Sequence, residues 1–162
     1  MNIKELFNDR SGFLVDLELI FISNINSRKD LSNFFKENVI LKEKSGVYFF
    51  EYENSVVYIG SSGKIKQDIN FLPFNTNNGI GSRLLRSNIP YSFIGDYLCY
   101  QRNPKNGNKK DARLYRQKIN LSSIKIGFTL LDPLISPTYI EHFFLQKFLD
   151  QTKRIPLINN QI

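Results

Sequence analysis

Apolar residues near the start of the chain recur at the spacing of a helix face. Leu31, Phe34 and Phe35 show this pattern most clearly, because positions three and four apart lie on one side of a helix. The same spacing predicts helices over residues 3–9, 12–23 and 28–38. We therefore expect an N-terminal helical elaboration.

The pattern changes to that of β-strands after residue 45. Residues 46–52 and 55–60 are rich in Val, Tyr and Phe, and the polar pair between them predicts a hairpin of two antiparallel strands. A three-residue loop over 53–55 would place Tyr48 and Tyr58 on one face of the sheet. A two-residue turn would shift the register and put the two tyrosines on opposite faces.

Further elements follow a polar loop. A short helix is predicted at residues 80–87, and alternation over 124–131 predicts a third strand. Ser136 and Pro137 are typical of a helix N-cap and first turn, so a helix should run from there to about Asp150.

This order of elements predicts an α+β fold in a single domain. The expected core is a small three-stranded antiparallel sheet flanked by helices, to which the N-terminal helical elaboration and a basic insertion are added. The chain then divides into the elaboration (1–45), the two parts of the core (46–88 and 121–162) and the insertion (89–120).

The composition is that of a folded protein. With 162 residues, 41% of them hydrophobic, the chain can bury one ordinary core and is too aromatic to be disordered. Cys99 is the only cysteine, so no disulfide can form within the chain, and no spaced Cys/His pattern predicts a zinc site. No apolar stretch approaches membrane-spanning length. We expect a soluble cytoplasmic protein without a membrane partner.

The net charge of +7 is concentrated in one segment. Residues 97–123 contain seven basic residues against Asp111 alone, whereas residues 1–96 contain as many acids as bases. Basic residues interleaved with tyrosines suit nucleic acid, because phosphate contacts release counterions; a solvated loop that only aids solubility is the alternative. The candidate DNA-binding residues are Lys64, Arg86, Arg102, Lys105, Lys109, Lys110, Arg113, Arg116 and Lys118.

Short motifs along the chain resemble, in order, those of the GIY-YIG endonucleases. Gly46-Val47-Tyr48 and Tyr58-Ile59-Gly60 resemble the paired tripeptides that name the family. Arg83 lies in a segment similar to the first core helix of the family, and Glu141 falls on a later predicted helix, where the family keeps its metal-binding Glu. Pro156-Leu157-Ile158-Asn159 is similar to the closing motif of the family. The resemblance implies an active site of Tyr48, Tyr58, Arg83, Glu141 and Asn159.

Glu141 and Arg83 are also unusual on physical grounds. On a helical wheel Glu141 falls beside Phe144 and Phe148, so a carboxylate lies within an apolar arc. Such a group needs a partner, which can be a metal ion, a hydrogen-bond network or the cation of a buried salt bridge. Arg83 and Arg86 are three residues apart, where like charges repel unless an anion such as a phosphate lies beside them. Two solvated cations are the alternative.

The resemblance implies hydrolysis of phosphodiester bonds in double-stranded DNA. Arg83 would hold the scissile phosphate, and Glu141 would bind one Mg²⁺ ion, for which Mn²⁺ can substitute. Tyr48 would help to activate the attacking water, Tyr58 would orient water or phosphate, and Asn159 would hold the site through its amide.

The chain has no signature of a separate DNA-binding domain, which favours a compact type II restriction enzyme. Such an enzyme would act as a homodimer, because palindromic sites are cut on both strands by two-fold dimers. A repair, phage or mobile-element nuclease with looser specificity is one alternative. A catalytically inactive DNA-binding protein of the same fold is the other.

Overall fold

The structure has an α+β fold around one antiparallel sheet. This computed structural model describes residues 1–8, 14, 16–22, 28–39, 41, 44–62, 123–156 and 159. Its helices are α1 (Ile3–Phe7), α2 (Arg28–Glu37) and α3 (Pro137–Thr152). Its strands are β1 (Ile20–Ile22), β2 (Gly46–Tyr52), β3 (Ser55–Ser62) and β4 (Ile124–Leu130). None of the described helices is both long and apolar enough to cross a membrane.

The sheet has the strand order β1-β4-β2-β3, and every neighbouring pair is antiparallel. β2 is a central strand with helices over both faces, and all seven of its residues are buried. Among the described strands β3 lies at an edge of the sheet, and none of them pairs with its outer side. The hairpin and the third strand predicted from the sequence are therefore confirmed.

The prediction of a three-stranded sheet is wrong, because the N-terminal region supplies a fourth strand. Ile20–Ile22, which the spacing placed in a helix over 12–23, forms β1 and pairs with β4. An apolar run of three residues is too short to distinguish a helix from a strand by its period. The N-terminal region is thus not a purely helical elaboration, since it completes the sheet.

One face of the sheet, here called the tyrosine face, carries Tyr48, Phe50 and Tyr58. They pack in one buried cluster with Phe128 of β4, and α2 covers this cluster with residues that include Phe35. The rings of Tyr48 and Tyr58 lie 5.9 Å apart between centroids, and each also contacts Phe50. Aromatic contacts of this kind contribute about 1 kcal/mol each beyond the area that they bury.

The opposite face, here called the α3 face, packs against α1 and α3. Phe7, Phe49 and Phe144 meet there, with ring centroids 5.0 to 5.6 Å apart. α3 begins as predicted, because the Ser136 hydroxyl accepts a hydrogen bond from the Tyr139 N–H at 3.3 Å and Pro137 occupies the first turn. The aromatic cluster fixes α3 across the sheet.

The β2–β3 hairpin combines a tight turn with a bulge. Glu53 and Asn54 form a two-residue turn with φ values of 50° and 62°, as a type I′ turn requires. Of the two alternatives, the two-residue turn is therefore the one that forms. Val57 is nevertheless an extra residue on β3, which shifts the pairing by one and restores the placement of the two tyrosines on a single face.

A carboxylate is buried beside the turn. Glu51 is only 2% exposed, and its Oε2 accepts a hydrogen bond from the Ile3 N–H at 2.8 Å. Its Oε1 forms an ion pair with Lys125 Nζ at 2.9 Å. The Met1 carbonyl accepts a hydrogen bond from the Val56 N–H at 2.9 Å, so the N-terminus is fastened to this end of the hairpin.

Candidate active site

Four of the five predicted catalytic residues lie in the described part of the chain. Arg83 lies outside it, as does the short helix predicted at residues 80–87. The predicted DNA-binding residues Lys64, Arg86, Arg102, Lys105, Lys109, Lys110, Arg113, Arg116 and Lys118 also lie outside the described residues. The geometry below therefore concerns Tyr48, Tyr58, Glu141 and Asn159.

Asn159 binds the open edge of β3. Its side-chain Oδ1 accepts a hydrogen bond from the Ile59 N–H at 2.9 Å, and its Nδ2 donates to the Ile59 carbonyl at 2.7 Å. The amide thus pairs with both backbone groups of one residue, as a neighbouring strand would. Asn159 is 100 residues away in sequence and fixes the C-terminal segment against this strand.

Tyr48 packs over Gly60 on the tyrosine face. The two residues are cross-strand partners, and a Cβ built on Gly60 would lie 2.8 Å from both the Cζ and the hydroxyl oxygen of Tyr48. The same atom would lie 2.6 Å from Cε1 of Tyr58. Only glycine allows the two rings to approach the β3 backbone this closely, which gives a physical reason for the Gly of the Tyr-Ile-Gly motif.

Both tyrosines are deeply buried, with exposed fractions of 1% for Tyr48 and 5% for Tyr58. Their rings are part of the aromatic cluster with Phe50, so packing accounts for much of their placement. The observed burial agrees with that packing role, and it limits any direct contact of the rings with DNA.

Glu141 reaches β3 from the opposite side of the sheet. It projects from α3, is half-buried, and its Oε2 accepts a hydrogen bond from the Ser61 hydroxyl. Its helical neighbours Phe144 and Phe148 are buried in the core, as the helical wheel predicted. Among the described residues Glu141 forms no ion pair, so the buried salt bridge proposed as an alternative is not found there.

Three consecutive residues of β3 therefore receive three of the predicted site residues. Asn159 binds the backbone of Ile59, Tyr48 packs on Gly60, and Glu141 accepts a hydrogen bond from Ser61. Tyr48 and Glu141 lie on opposite faces of the strand, because successive residues of a strand point to opposite faces. Since β3 is an edge strand among the described strands, both of its faces border the same edge of the sheet, here called the β3 rim.

At this rim Glu141 offers one carboxylate to a cation. The described residues contain no group of three or more His, Cys, Asp or Glu side chains that could enclose a metal ion. Mg²⁺, however, keeps several waters and commonly binds through one or two carboxylates together with substrate phosphates. Glu141 suits such a site, because it is half-buried and none of the described cations neutralises it.

Ser61 is the residue of this site that the sequence did not single out. It directly follows Gly60, and strand alternation alone would have placed it on the face opposite to Tyr48. Its contact with Glu141 joins residues 80 positions apart, and nothing local in the sequence marks that contact. His142, by contrast, is exposed on α3.

No family model, curated protein or solved structure matches the chain. The resemblance to the GIY-YIG endonucleases thus remains a prediction that depends on the motif residues and their order. The contacts that Asn159, Tyr48 and Glu141 make with β3 are features of the structure and do not depend on the resemblance.

Proposed function

We propose that this protein is a metal-dependent endonuclease that cleaves double-stranded DNA at the β3 rim. The observation that carries the proposal is the meeting of Asn159, Tyr48 and Glu141 on Ile59, Gly60 and Ser61. Asn159, Tyr48 and Glu141 come from the C-terminal segment, a central strand and a helix, and all three are site residues that the resemblance implies.

Glu141 is the metal-binding residue of this proposal. Its Oε2 accepts a hydrogen bond from the Ser61 hydroxyl, so Oε1 would be the oxygen that holds a Mg²⁺ ion. When bound, Mg²⁺ stabilises the charge that develops on the phosphate oxygens during hydrolysis. A single carboxylate suffices for this role, because substrate and water complete the coordination.

The tyrosines have supporting roles that differ from each other. Tyr48 is the proposed residue that helps to activate the attacking water. Because its side chain is only 1% exposed, it would act through a relay of water rather than by direct contact. Tyr58 stacks on Phe50 and keeps the ring of Tyr48 in place over Gly60.

Asn159 acts through the strand rather than on the substrate. Both polar atoms of its side chain bind the Ile59 backbone, so the strand fixes the orientation of the amide. It holds β3 at the level of Gly60 and Ser61 and is therefore a positioning residue. Arg83 is proposed to hold the scissile phosphate, because a planar guanidinium matches its oxygens.

Recognition of DNA is proposed to come from the basic segment at 97–123, whose surplus of positive charge suits the phosphate backbone. Site-specific cleavage of both strands by a homodimer, as in a type II restriction enzyme, is the finer form of the proposal. Discrete fragments from a plasmid support that form, whereas a smear or single nicks support a repair or mobile-element nuclease.

One observation favours a second candidate, an inactive DNA-binding protein. Tyr48 and Tyr58 are buried and both polar atoms of Asn159 bind the β3 backbone, so these motif residues also have structural roles. Of the motif residues that the structure describes, Glu141 is the one without such a role, because its one hydrogen bond to a described residue does not account for a carboxylate near an apolar core. Glu141 therefore distinguishes the two candidates.

The deciding experiment compares Glu141→Ala with His142→Ala. His142 is the adjacent residue on α3 and is exposed, so its variant controls for general effects on the helix. Each protein is incubated with plasmid and linear DNA in the presence of Mg²⁺, and the products are separated on gels. We expect wild type and His142→Ala to cleave and Glu141→Ala to lose at least about 100-fold of the rate.

DNA binding is measured on the same proteins in buffer containing EDTA. Tight binding of wild type without cleavage of any DNA, at any Mg²⁺ concentration, contradicts the enzyme and favours the inactive DNA-binding protein. Absence of both binding and cleavage contradicts both candidates.

A further inference from the structure

We infer that Ser61 is a positioning residue for Glu141. The Ser61 hydroxyl binds one carboxylate oxygen of Glu141 and so orients the other oxygen to receive the cation. The inference rests on the proposed function, in which Glu141 binds Mg²⁺. It goes beyond that function because Ser61 lies outside the motif residues that the resemblance supplies.

The hydrogen bond places the two carboxylate oxygens of Glu141 in different environments. Ser61 donates to Oε2 of Glu141, and among the described residues Oε1 has no hydrogen-bond partner and no ion pair. An ionised carboxylate accepts at both oxygens, so Glu141 is half satisfied within the described part of the protein. Oε1 is the oxygen at which a further donor or cation fits.

Both partners stand on fixed elements. Ser61 is paired with Val47 in the sheet, and the strand is held two residues earlier by Asn159. α3 is anchored by Phe144, which contacts Phe49 and Phe7. A hydroxyl and a carboxylate held in this way have little freedom to separate, so the orientation of Glu141 is set before any cation binds.

A neutral donor suits this position better than a charged one. Lys or Arg beside Glu141 would pair with the carboxylate and oppose a divalent ion, as Lys125 pairs with Glu51 elsewhere on the sheet. A hydroxyl orients the group and leaves its negative charge in place. Partners of this kind commonly change metal affinity by about 10- to 100-fold when they are removed.

The test measures Mn²⁺ binding directly, by loss of the electron paramagnetic resonance signal of the free ion. Wild type, Ser61→Ala, Ser61→Thr and Ser61→Cys are titrated with Mn²⁺ alone and again with plasmid DNA in excess. Ser55→Ala is the matched control, because it removes another serine hydroxyl, at the far end of β3 from Ser61. Circular dichroism and urea unfolding establish that each variant is folded.

We expect Ser61→Ala to raise the Mn²⁺ midpoint by about tenfold and Ser61→Thr to restore it. Ser61→Cys keeps nearly the size of serine with a weaker donor, so it gives the same answer if the alanine variant does not fold. Ser55→Ala should bind as wild type does. Equal midpoints for wild type and the folded Ala or Cys variant overturn the inference, as does a Thr variant that behaves like Ala.

Failure of the inference is distinguishable from failure of the proposed function. If wild type cleaves DNA with Mg²⁺ while substitutions at Ser61 leave the Mn²⁺ midpoint unchanged, only the role of Ser61 is wrong. If wild type binds no more Mn²⁺ than Glu141→Gln, with and without DNA, and cleaves nothing, the metal-dependent nuclease is wrong and the inference falls with it.

Discussion

A carboxylate lies at each end of the β2–β3 hairpin, and the two differ in burial and in hydrogen bonding. At the turn end, around Glu51 and Val56, both oxygens of Glu51 are bonded, one by the Ile3 N–H and one by Lys125. At the open end, over residues 59–61, Glu141 receives one hydrogen bond from the described residues, donated by Ser61. Glu51 is almost fully buried, whereas Glu141 is half-buried.

This difference distinguishes Glu51, a structural carboxylate, from Glu141, a carboxylate that is available to a ligand. A carboxylate removed from water is tolerated only when its hydrogen-bonding capacity is met, and Glu51 meets that condition. Among the described residues one oxygen of Glu141 has no partner, and the side chain is only half-buried. Changes at the turn end should therefore alter the free energy of unfolding and spare activity, whereas changes at the open end should alter activity.

The largest effect is expected from Gly60→Ala at the open end. The added Cβ would lie 2.6 Å from Tyr58 Cε1 and 2.8 Å from Tyr48 Cζ, so both rings must move. Overpacking of this kind costs about 3 kcal/mol of the free energy of unfolding. Urea unfolding measures the loss, and the displaced tyrosines should also slow DNA cleavage per folded molecule.

Gly127→Ala is the matched control for that substitution. Gly127 lies in the central strand β4, where a Cβ would come no closer than 3.3 Å to the flexible side chains of Ile3 and Leu19. Because those side chains can adjust by a few tenths of an ångström, the cost should be much smaller. Equal losses for the two variants would show that the close approach of the tyrosines to Gly60 is not what requires glycine.

The next effect is expected from Glu51→Ala at the turn end. It leaves the buried Ile3 N–H without an acceptor at the first turn of α1 and removes the partner of Lys125. The free energy of unfolding should fall by about 2 kcal/mol, and Glu51→Gln, which keeps an acceptor, should lose less. Chemical denaturation gives both values. Specific cleavage activity of the folded protein should be unchanged, and a large loss of activity would contradict the division between the two ends.

Most of the elements of the fold could be predicted from the sequence, because their periodicity is strong. α2, the hairpin, β4 and α3 lie within a few residues of their predicted bounds, since each buries one clear pattern of apolar positions. β1 was missed because Ile20–Ile22 is apolar throughout and buries side chains on both faces of the sheet. Such a run carries no period that excludes a helix.

The hairpin register and the contact between Ser61 and Glu141 could not be predicted from the sequence, for different reasons. Val56, Val57 and Tyr58 are all apolar, so no change of pattern marks the extra residue at Val57. The bond between Ser61 and Glu141 depends on how α3 packs across the sheet, which residues 80 positions apart do not reveal. The sequence could identify Glu141 as a carboxylate that needs a partner, but it left that partner open.

A smaller effect is expected from Asn159→Ala. It removes both hydrogen bonds to the Ile59 backbone at a half-buried edge and should cost about 1 kcal/mol of the free energy of unfolding. Asn159→Asp keeps an acceptor for the Ile59 N–H but replaces the donor that faces the Ile59 carbonyl, so it should not rescue. Cleavage should fall in both variants because β3 is less well held at Ser61. If the Asp variant cleaves as wild type does, Asn159 does not position the strand through both of its bonds.

The smallest effect is expected from the turn itself, and it has the opposite sign. Glu53 and Asn54 have positive φ values, which cost an ordinary side chain about 1 kcal/mol and suit Asn or Gly better. Glu53→Asn combined with Asn54→Gly should therefore stabilise the protein, by about 0.5 kcal/mol after the greater chain entropy of glycine is taken into account. Thermal and urea unfolding measure the gain. Because the turn lies at the far end of the hairpin from residues 59–61, the rate of DNA cleavage should not change. A stabilised variant with altered cleavage would mean that the two ends of the hairpin are coupled, and the bulge at Val57 would be the place where that coupling passes.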